Sequence, residues 1–433
     1  MITSKEIRNR FLDFFVRNGH LKIGDVSLIP QNDPTLLVIN SGMAPLKALF
    51  TGEEEPKNRR LCNVQRCIRT NDIESVGDPH HLTFFEMMGN WSIGDYFKHE
   101  AINLAWQLIS DIFAFDTSRI YVTVFGGDKR LPNIPADDES RGIWTNFLPE
   151  DRIFSLGASS NFWGPTNITG PCGPCTEVFI DRGQEQGCKK SSCGPDCNCG
   201  RFIEIWNAGV FMQYYLHEDK SFTSLPLKSV DAGAGIERFC MILQGVESIY
   251  DTDLFSPIIE TLLTGQKGNK NQRSIRIISD HIRAATFMIG DSIQPGKSKR
   301  EYVVRRLLRR AFLHMGLIGI PVPVLLDVSN TVISFFTEFY PTIAQNRKAI
   351  CRTIDEESKS FDKVLRTGTR GFNKIVNAKG FGNLISGADA FKLHDTLGFP
   401  MELTQELARS RGIEVDVSAF ESQLEEQRTR SRV

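Results

Sequence analysis

The spacing of apolar and polar positions changes near the middle of this chain. In the first half, short apolar runs alternate with segments that contain glycine and proline, which predicts strands and turns. In the second half, apolar residues recur every three to four positions over long stretches, which predicts helices. We therefore expect an α+β half over residues 1–250 and a mostly α-helical half over residues 251–433. The polar stretch Thr264–Ser274 is predicted to be a linker.

Individual elements follow from the same patterns. Arg60–Arg69 and His81–Met88 are predicted to be two strands of a hairpin, joined by a long polar loop. Asn161–Pro174 is dense in glycine and proline and is predicted to be irregular. Further strands are predicted over Ile120–Phe125, Arg201–Phe211 and Lys228–Ala232, and helices over Ser4–Asn18, Ala101–Ile112, Ile236–Gln244, Ile275–Gly290, Glu301–Gly316, Val328–Phe339, Ala349–Val364 and Asp416–Arg430.

Composition narrows the class of protein. The net charge is −1, so any surface that binds nucleic acid must be a local patch. No apolar run approaches the length of a membrane-spanning helix, and the charged start lacks the apolar core of a signal peptide. Four of the ten cysteines crowd into Cys188–Cys199, which favours a metal site in a reducing compartment over a disulfide framework. We therefore expect a cytoplasmic protein with no membrane partner.

The stretch His80–Phe97 carries the first candidate chemistry. It places His81, Glu86 and Asp95 inside an aromatic and apolar run, and buried polar groups are costly unless they are paired. His81 and Phe85 fall on one face of the predicted strand, so a base could stack on Phe85, although core packing alone would also explain the aromatics. Arg69 lies upstream and could bind a phosphate. This combination predicts a nucleotide site on an antiparallel sheet.

A second segment, the glycine-containing Ser229–Arg238, supports the prediction of a nucleotide site. Its glycines allow close approach of the backbone to a ligand, and Arg238 at the start of a helix can meet a terminal phosphate. A P-loop is excluded, because the glycine upstream of Gly296-Lys297-Ser298 is one residue too far away and no strand precedes it.

Several longer sequence motifs give the chain a resemblance to a known family. Arg69 with the His81/Phe85 strand resembles motif 2 of class II aminoacyl-tRNA synthetases, and GAGIER resembles motif 3. The chain is similar to the alanyl-tRNA synthetases in words that run in order through its whole length: Asn32–Met43, His80–Lys98, Thr169–Glu177, Glu204–Asn207, Ser229–Arg238, Tyr302–Ala311 and His394–Thr404. The resemblance implies an antiparallel catalytic sheet with flanking helices, followed by a helical domain that recognises the tRNA acceptor stem.

The implied reaction is the ligation of L-alanine to tRNA(Ala) in two steps, through alanyl-adenylate formed from ATP with Mg²⁺. By the resemblance, Arg69, Arg238 and Asp231 are the catalytic residues. The residues implied to bind ATP are Arg69, His81, Phe85, Met88, Glu204 and Arg238. Those implied to bind alanine are Trp163, Asn207, Val210, Asp231 and Gly233. We expect Asp231 to hold the ammonium group and Met88 to act through its backbone.

Two departures from the family pattern affect these expectations. No lysine follows Arg69 in Cys67–Asp72, and Lys297 stands where the family has an asparagine that helps to read a G·U pair. The family also has an editing domain beyond the matched part, which we expect to be absent here, in a fragment or in a naturally short enzyme. Two rivals stay open: an enzyme that charges a carrier other than tRNA, and a catalytically silent RNA-binding paralogue.

Glu301–His314 is a candidate tRNA surface. Four arginines, Arg305, Arg306, Arg309 and Arg310, fall on one arc of the predicted helix, and apolar residues cover the opposite arc. Lys297 extends the positive charge, and the resemblance adds Asp395 and favours Arg309 as a reader of the acceptor stem. The arc is either a phosphate track or the solvated face of a core helix.

The cysteines Cys188, Cys193, Cys197 and Cys199 have the spacing C-x4-C-x3-C-x-C. Four thiolates in one short loop suit tetrahedral structural Zn²⁺. Free thiols and a disulfide are the alternatives, and Cys172 and Cys175 are rival ligands that we expect instead to belong to a structural loop.

Overall fold

The structure, a computed structural model, describes residues 1–31, 33, 36–165, 169–264, 271–378 and 382–430. These residues form two compact units, Met1–Pro257 and Ile258–Val433. Residues 265–270 of the predicted linker lie outside the described part of the chain, as do residues 32 and 34–35 of the word Asn32–Met43.

The first unit is built on one mixed sheet. Its strands are β1 (Leu21–Lys22), β2 (Arg60–Ile68), β3 (Phe84–Ser92), β4 (Ile120–Phe125), β5 (Ile153–Leu156), β6 (Phe162–Trp163), β7 (Gly170–Asp181), β8 (Phe202–Leu216) and β9 (Phe222–Gly235). They are ordered β1-β2-β3-β9-β8-β7-β4-β5, with β6 paired to β7. The neighbouring pairs β2/β3, β3/β9, β9/β8, β8/β7 and β7/β4 are antiparallel. The two edge pairs, β1/β2 and β4/β5, are parallel. The predicted hairpin and the α+β class are confirmed.

Helices flank this sheet. They are α1 (Ser4–Arg17), α2 (Lys47–Thr51), α3 (Lys98–Gln107), α4 (Asp138–Trp144), α5 (Ala158–Asn161) and α6 (Ile236–Leu243). The next helix, α7 (Ser256–Leu263), begins in the first unit and lies mostly in the second. The N-terminal helix α1 forms where its sequence pattern predicts a helix. Thr3 and Glu6 form a capping box at its start, and Phe11 and Phe15 pack their rings against Trp206 of β8. The apolar stripe of α1 thus covers the sheet.

The second unit is helical, as predicted. It contains α8 (Gln272–Gly290), α9 (Lys299–Ile318), α10 (Val324–Phe336), α11 (Pro341–Gln345), α12 (Arg347–Ala378), α13 (Gly387–Leu397), α14 (Met401–Arg409) and α15 (Val417–Arg430), with one short parallel pair, β10 (Leu384–Ile385) and β11 (Glu414–Val415). Among the described residues, no helix combines the length and the apolar character that crossing a membrane requires.

Candidate functional site

A cavity of about 280 Å³ opens on the sheet of the first unit, where β2, β3, β8 and β9 meet the start of α6. All the sequence-predicted nucleotide and alanine residues line it except one: Arg69, His81, Phe85, Trp163, Glu204, Asn207, Val210, Asp231, Gly233 and Arg238. Residues that are 169 positions apart in the sequence, Arg69 and Arg238, therefore share one cavity. Register brings them together, because β3 pairs with both β2 and β9.

The exception is Met88. Its side chain is fully buried and does not line the cavity, whereas the neighbouring Met87 does. Successive residues of a strand point to opposite faces, so Phe85 and Met87 share the cavity face of β3 and Met88 faces away from it. Any contact of Met88 with a ligand would have to use its backbone.

Two arginines supply positive charge to the cavity. The guanidinium of Arg69, just past the end of β2, lies 4.8 Å from the ring centroid of Phe85. Arg238 stands in the first turn of α6 and donates from Nη1 to the Glu204 carboxylate at 2.9 Å and to the Glu204 carbonyl oxygen at 2.8 Å. Both guanidinium groups are thus oriented by neighbours within the site, and both retain N–H groups suited to phosphate oxygens.

His81 lies before β3, so the expectation that it shares a strand face with Phe85 is wrong. A turn carries it to the cavity instead, where Asp78 contacts its ring. Its hydrogen bond to Asp78 raises the pKa of His81, whereas burial lowers the pKa of the adjacent His80 to about 4. His81 therefore keeps its proton to higher pH than the neighbouring His80 does.

Asp231 occupies the buried end of the site. It is 8% exposed, and the indole Nε1–H of Trp91 donates to its Oδ1 at 2.7 Å. Burial raises the pKa of Asp231 to about 7, although the Trp91 hydrogen bond opposes this. A buried carboxylate that has one neutral donor is poised to accept a cationic ligand, because an ammonium group would supply the missing charge.

Small and apolar groups limit the space around Asp231. Asp231 pairs with Trp91 of β3 on one side and with Val210 of β8 on the other. Gly233 follows two residues later on the same face, and a Cβ atom there would come within 2.7 Å of Met87 Sδ. The site therefore accommodates a small side chain beside the carboxylate.

Glu177 is a cavity residue that the sequence reasoning did not assign. It lies on β7, faces Glu204, and is 3.5 Å from the Asn207 amide nitrogen that donates to it. Burial, and then the nearby Glu204 charge, raise the pKa of Glu177 to about 9. The sequence signal for Glu177 is its position at the end of Thr169–Glu177, one of the segments that carry the family resemblance.

The prediction of an irregular Asn161–Pro174 is wrong at both ends, because α5 and β6 extend to Trp163 and β7 begins at Gly170. Residues 166–168 of this stretch lie outside the described part of the chain. Glycine permits the path of β7: a Cβ atom at Gly173 would overlap the carbonyl oxygen of Phe211 on β8. The close approach of the two strands holds β7 beside the cavity.

The two acids of His80–Phe97 that had no assigned role are structural. Glu86 is fully buried and pairs with Arg8 of α1 at 2.8 Å. Asp95 pairs with Arg60 of β2 at 2.8 Å. Both carboxylates are compensated by arginines from other elements, which explains the polar residues in an otherwise apolar run.

The four clustered cysteines converge. Their Sγ atoms all lie within 4.8 Å of one another, with Cys188 and Cys197 at 3.7 Å and Cys193 and Cys199 at 3.5 Å. Tetrahedral zinc with Zn–S bonds of about 2.3 Å places its sulfur atoms roughly 3.8 Å apart, so the four thiols fit this ion. The rival ligands Cys172 and Cys175 are buried in β7 and do not belong to the cluster.

The arginine helix is α9, and its four arginines differ in environment. The apolar arc is buried as predicted, but Arg310 is also buried, at 3% exposure, and pairs with Glu406 of α14 at 3.0 Å. The expectation that Arg310 lies on a shared exposed face is therefore wrong, because α14 covers that position. Arg305 and Arg309 are partly exposed and both approach the Glu357 carboxylate, at 3.3 and 2.9 Å.

The remaining predicted tRNA-binding residues lie nearer the solvent. Arg306 is half-buried, Lys297 is exposed in the segment before α9, and Asp395 is exposed on α13. The Asp395 carboxylate accepts a hydrogen bond from the Gln427 amide of α15 at 2.5 Å.

Comparison with known proteins gives one family for nearly the whole chain. The family model described as tRNA synthetases class II (A) matches residues 6–433. An alanine–tRNA ligase of Dehalococcoides mccartyi is 44% identical over 438 residues, which cover 100% of this chain and 49% of that protein. Alanine–tRNA ligases of Clostridioides difficile (43% identity, 99% of this chain, 48% of that protein) and Thermotoga petrophila (44%, 100% and 50%) match similarly. The chain thus spans about half the length of the curated relatives it matches.

Among solved structures, the apo histidyl-tRNA synthetase of S. aureus matches 57% of this chain and 67% of that chain, at 12% identity and a TM-score of 0.33.

Proposed function

Because the chain belongs to the class II (A) family of tRNA synthetases, we propose that it activates L-alanine with ATP and transfers it to the 3′ end of tRNA(Ala). The observation that carries this proposal is the shared cavity: a buried carboxylate, Asp231, at one end, and two guanidinium groups, Arg69 and Arg238, elsewhere in it. Such a site suits a small zwitterion and a polyphosphate bound side by side.

In the first step, a carboxylate oxygen of alanine attacks the α-phosphorus of ATP, and pyrophosphate leaves with the electrons of the broken P–O bond. No protein nucleophile is required, so the residues act by positioning and by charge. Arg69 would hold the α-phosphate and Arg238 the γ-phosphate, while Phe85 stacks on the adenine. Magnesium enters with ATP as part of the substrate, and Glu204 is the carboxylate we propose to face it.

Asp231 would hold the alanine ammonium group through a charge-assisted hydrogen bond. Trp163, Asn207 and Val210 would surround the methyl group, and Gly233 would leave room for it. Selection by such a pocket is modest, since one methylene is worth roughly 1–3 kcal/mol and an added hydroxyl is hard to reject. We therefore expect measurable activation of glycine and serine.

We further propose that residues 1–250 are the catalytic domain and that residues 251–433 recognise the acceptor stem. On α9, the partly exposed Arg305, Arg306 and Arg309 are the candidates for phosphate contacts, together with Lys297 before the helix and Asp395 on α13. Arg310 is left out of this surface because it is buried, at 3% exposure, and is paired with Glu406 of α14. Whether Lys297 changes the base pair that is read is open to direct test.

The cysteine cluster is proposed to bind one structural Zn²⁺. The proposal is supported by the donor set, four thiols whose Sγ atoms all lie within 4.8 Å of one another. Bound zinc would stabilise the loop Cys188–Cys199, which otherwise lacks a core of its own.

The decisive experiment is alanine-dependent exchange of pyrophosphate into ATP, followed by aminoacylation of tRNA(Ala) and of acceptor-stem variants, with alanine, serine and glycine compared. We expect exchange with alanine and transfer to tRNA. Absence of exchange would refute the proposed activation, and exchange without transfer would point to another acceptor. As a translation enzyme the protein would act in the cytoplasm, which cell fractionation would check.

A further inference from the structure

The ring of His81 is fixed by a single acidic residue of the preceding turn. Asp78 Oδ2 lies 2.5 Å from His81 Nδ1, and Asp78 Oδ1 accepts the backbone N–H groups of His80 and His81 at 2.9 and 2.8 Å. The Tyr250 hydroxyl donates to the His81 carbonyl oxygen at 3.0 Å. Within the described ranges, no protein group is hydrogen-bonded to Nε2, which is thus the ring nitrogen that a ligand in the cavity can engage.

The charges around this ring come from two elements. On its own loop, Asp78 and then Asp72 favour the charged imidazolium, and they raise the pKa of His81. Burial and Arg238 of α6 oppose this effect. The adjacent His80 also lines the cavity, but burial and the charges of Arg182 and Arg238 lower its pKa, so that His81 keeps its proton to higher pH than His80 does.

We propose that Asp78 is a positioning residue, which orients His81 and keeps it charged so that Nε2–H donates to a phosphate oxygen of the bound nucleotide. This inference rests on the proposed nucleotide site. An imidazolium held by a carboxylate on one side is a strong donor on the other, and hydrogen bonds to charged acceptors are shorter and stronger than neutral ones. His81 would then act with Arg69 and Arg238 against the phosphate charge.

The Asp78→Asn variant isolates this role. Asparagine keeps an oxygen that can accept the two backbone N–H groups, so the turn is retained, but it places an amide where Nδ1 needs an anionic acceptor. The matched control is Asp72→Asn, which removes the same charge near His81 without removing a hydrogen bond to its ring.

The experiment is calorimetric titration of the whole chain with ATP and MgCl₂ at several values between about pH 6 and 9. The proteins compared are the wild type, Asp78→Asn, the control Asp72→Asn, His81→Gln, and the double variant of Asp78 and His81. We expect Asp78→Asn to weaken ATP binding roughly tenfold near neutral pH, with the difference narrowing at both ends of the range. The control should change affinity by less than about threefold. In the His81→Gln background, Asp78→Asn should have no further effect.

Three outcomes would overturn the proposal. The first is a loss of ATP affinity in Asp78→Asn that is equal at every pH. The second is the same loss when Asp78→Asn is added to His81→Gln. The third is wild-type ATP affinity in the single His81→Gln variant, which can be measured even if Asp78→Asn fails to fold. The exchange assay is read separately. A wild type that binds ATP without alanine-dependent exchange contradicts the proposed function but leaves this inference testable, and a wild type that does not bind ATP ends both.

Discussion

Replacing Asp231 by asparagine should stabilise the protein while abolishing its activity. Burial raises the pKa of Asp231 from an ordinary value near 3.8 to about 7. A carboxyl whose pKa is higher in the folded than in the unfolded state binds more protons when folded, so stability falls as pH rises between these two values. Above about pH 7 the full penalty applies. A difference of about three pKa units corresponds to roughly 4 kcal/mol.

Asparagine removes this penalty and keeps an oxygen for the Trp91 indole. We therefore expect Asp231→Asn to raise the free energy of unfolding by up to about 4 kcal/mol at pH 8, and by only about 2 kcal/mol at pH 5, where the wild-type carboxyl is mostly protonated. Alanine-dependent exchange should fall at least about a hundredfold, because the ammonium group loses its counter-charge. ATP binding should be unchanged.

The measurement is urea unfolding followed by tryptophan fluorescence at both pH values. All five tryptophans lie in the first unit, so the signal reports the unit that contains Asp231. Asp13→Asn on the exposed face of α1 is the control and should change stability by less than about 0.5 kcal/mol. A variant less stable than the wild type at pH 8, or a gain that does not depend on pH, would refute the reasoning.

Three further predictions concern the other sites. Cys193→Ser should reduce bound zinc from one ion per chain to a small fraction after dialysis, as measured by elemental analysis; a full complement of zinc in the variant would exclude the four-thiolate site. Arg309→Gln should slow tRNA charging severalfold while sparing exchange, and an equal fall in both steps would make α9 purely structural. Arg310→Gln should lower the free energy of unfolding by about 1 kcal/mol, because it removes one buried partner of Glu406 while Arg273 still contacts that carboxylate at 3.0 Å. Gly233→Ala should raise KM for alanine roughly tenfold more than KM for ATP, since the added methyl group would lie 2.7 Å from Met87 Sδ in the space that we assign to alanine. Equal changes in both constants would contradict this assignment.

The local pattern of apolar and polar residues was sufficient to predict which segments near the site are strands and which are helices. Alternation and turn residues identified the β2/β3 hairpin, and the apolar arc of α9 was identified from its period alone. The clustered cysteines also met as their spacing suggested. These features depend on residues close in sequence, for which the backbone period decides which side chains share a face.

The resemblance supplied what local patterns could not, namely that Asp231 and Asn207 belong with Arg69 in one site. The structure places them around one cavity, although the ligand roles of these residues stay predictions. No periodicity could have predicted this grouping, because it depends on how strands far apart in sequence pair within the sheet.

Other features were decided only by tertiary packing. Glu86 and Asp95 had no role that the sequence could assign, and in the structure each is paired with an arginine from another element. Arg310 has the same helical spacing as its neighbours but is covered by α14. Sequence by itself determined which residues carry charge and which face of an element they share. Whether a given charge meets an ion-pair partner or a cavity depends on which distant element packs against that face, and only the folded structure decides it.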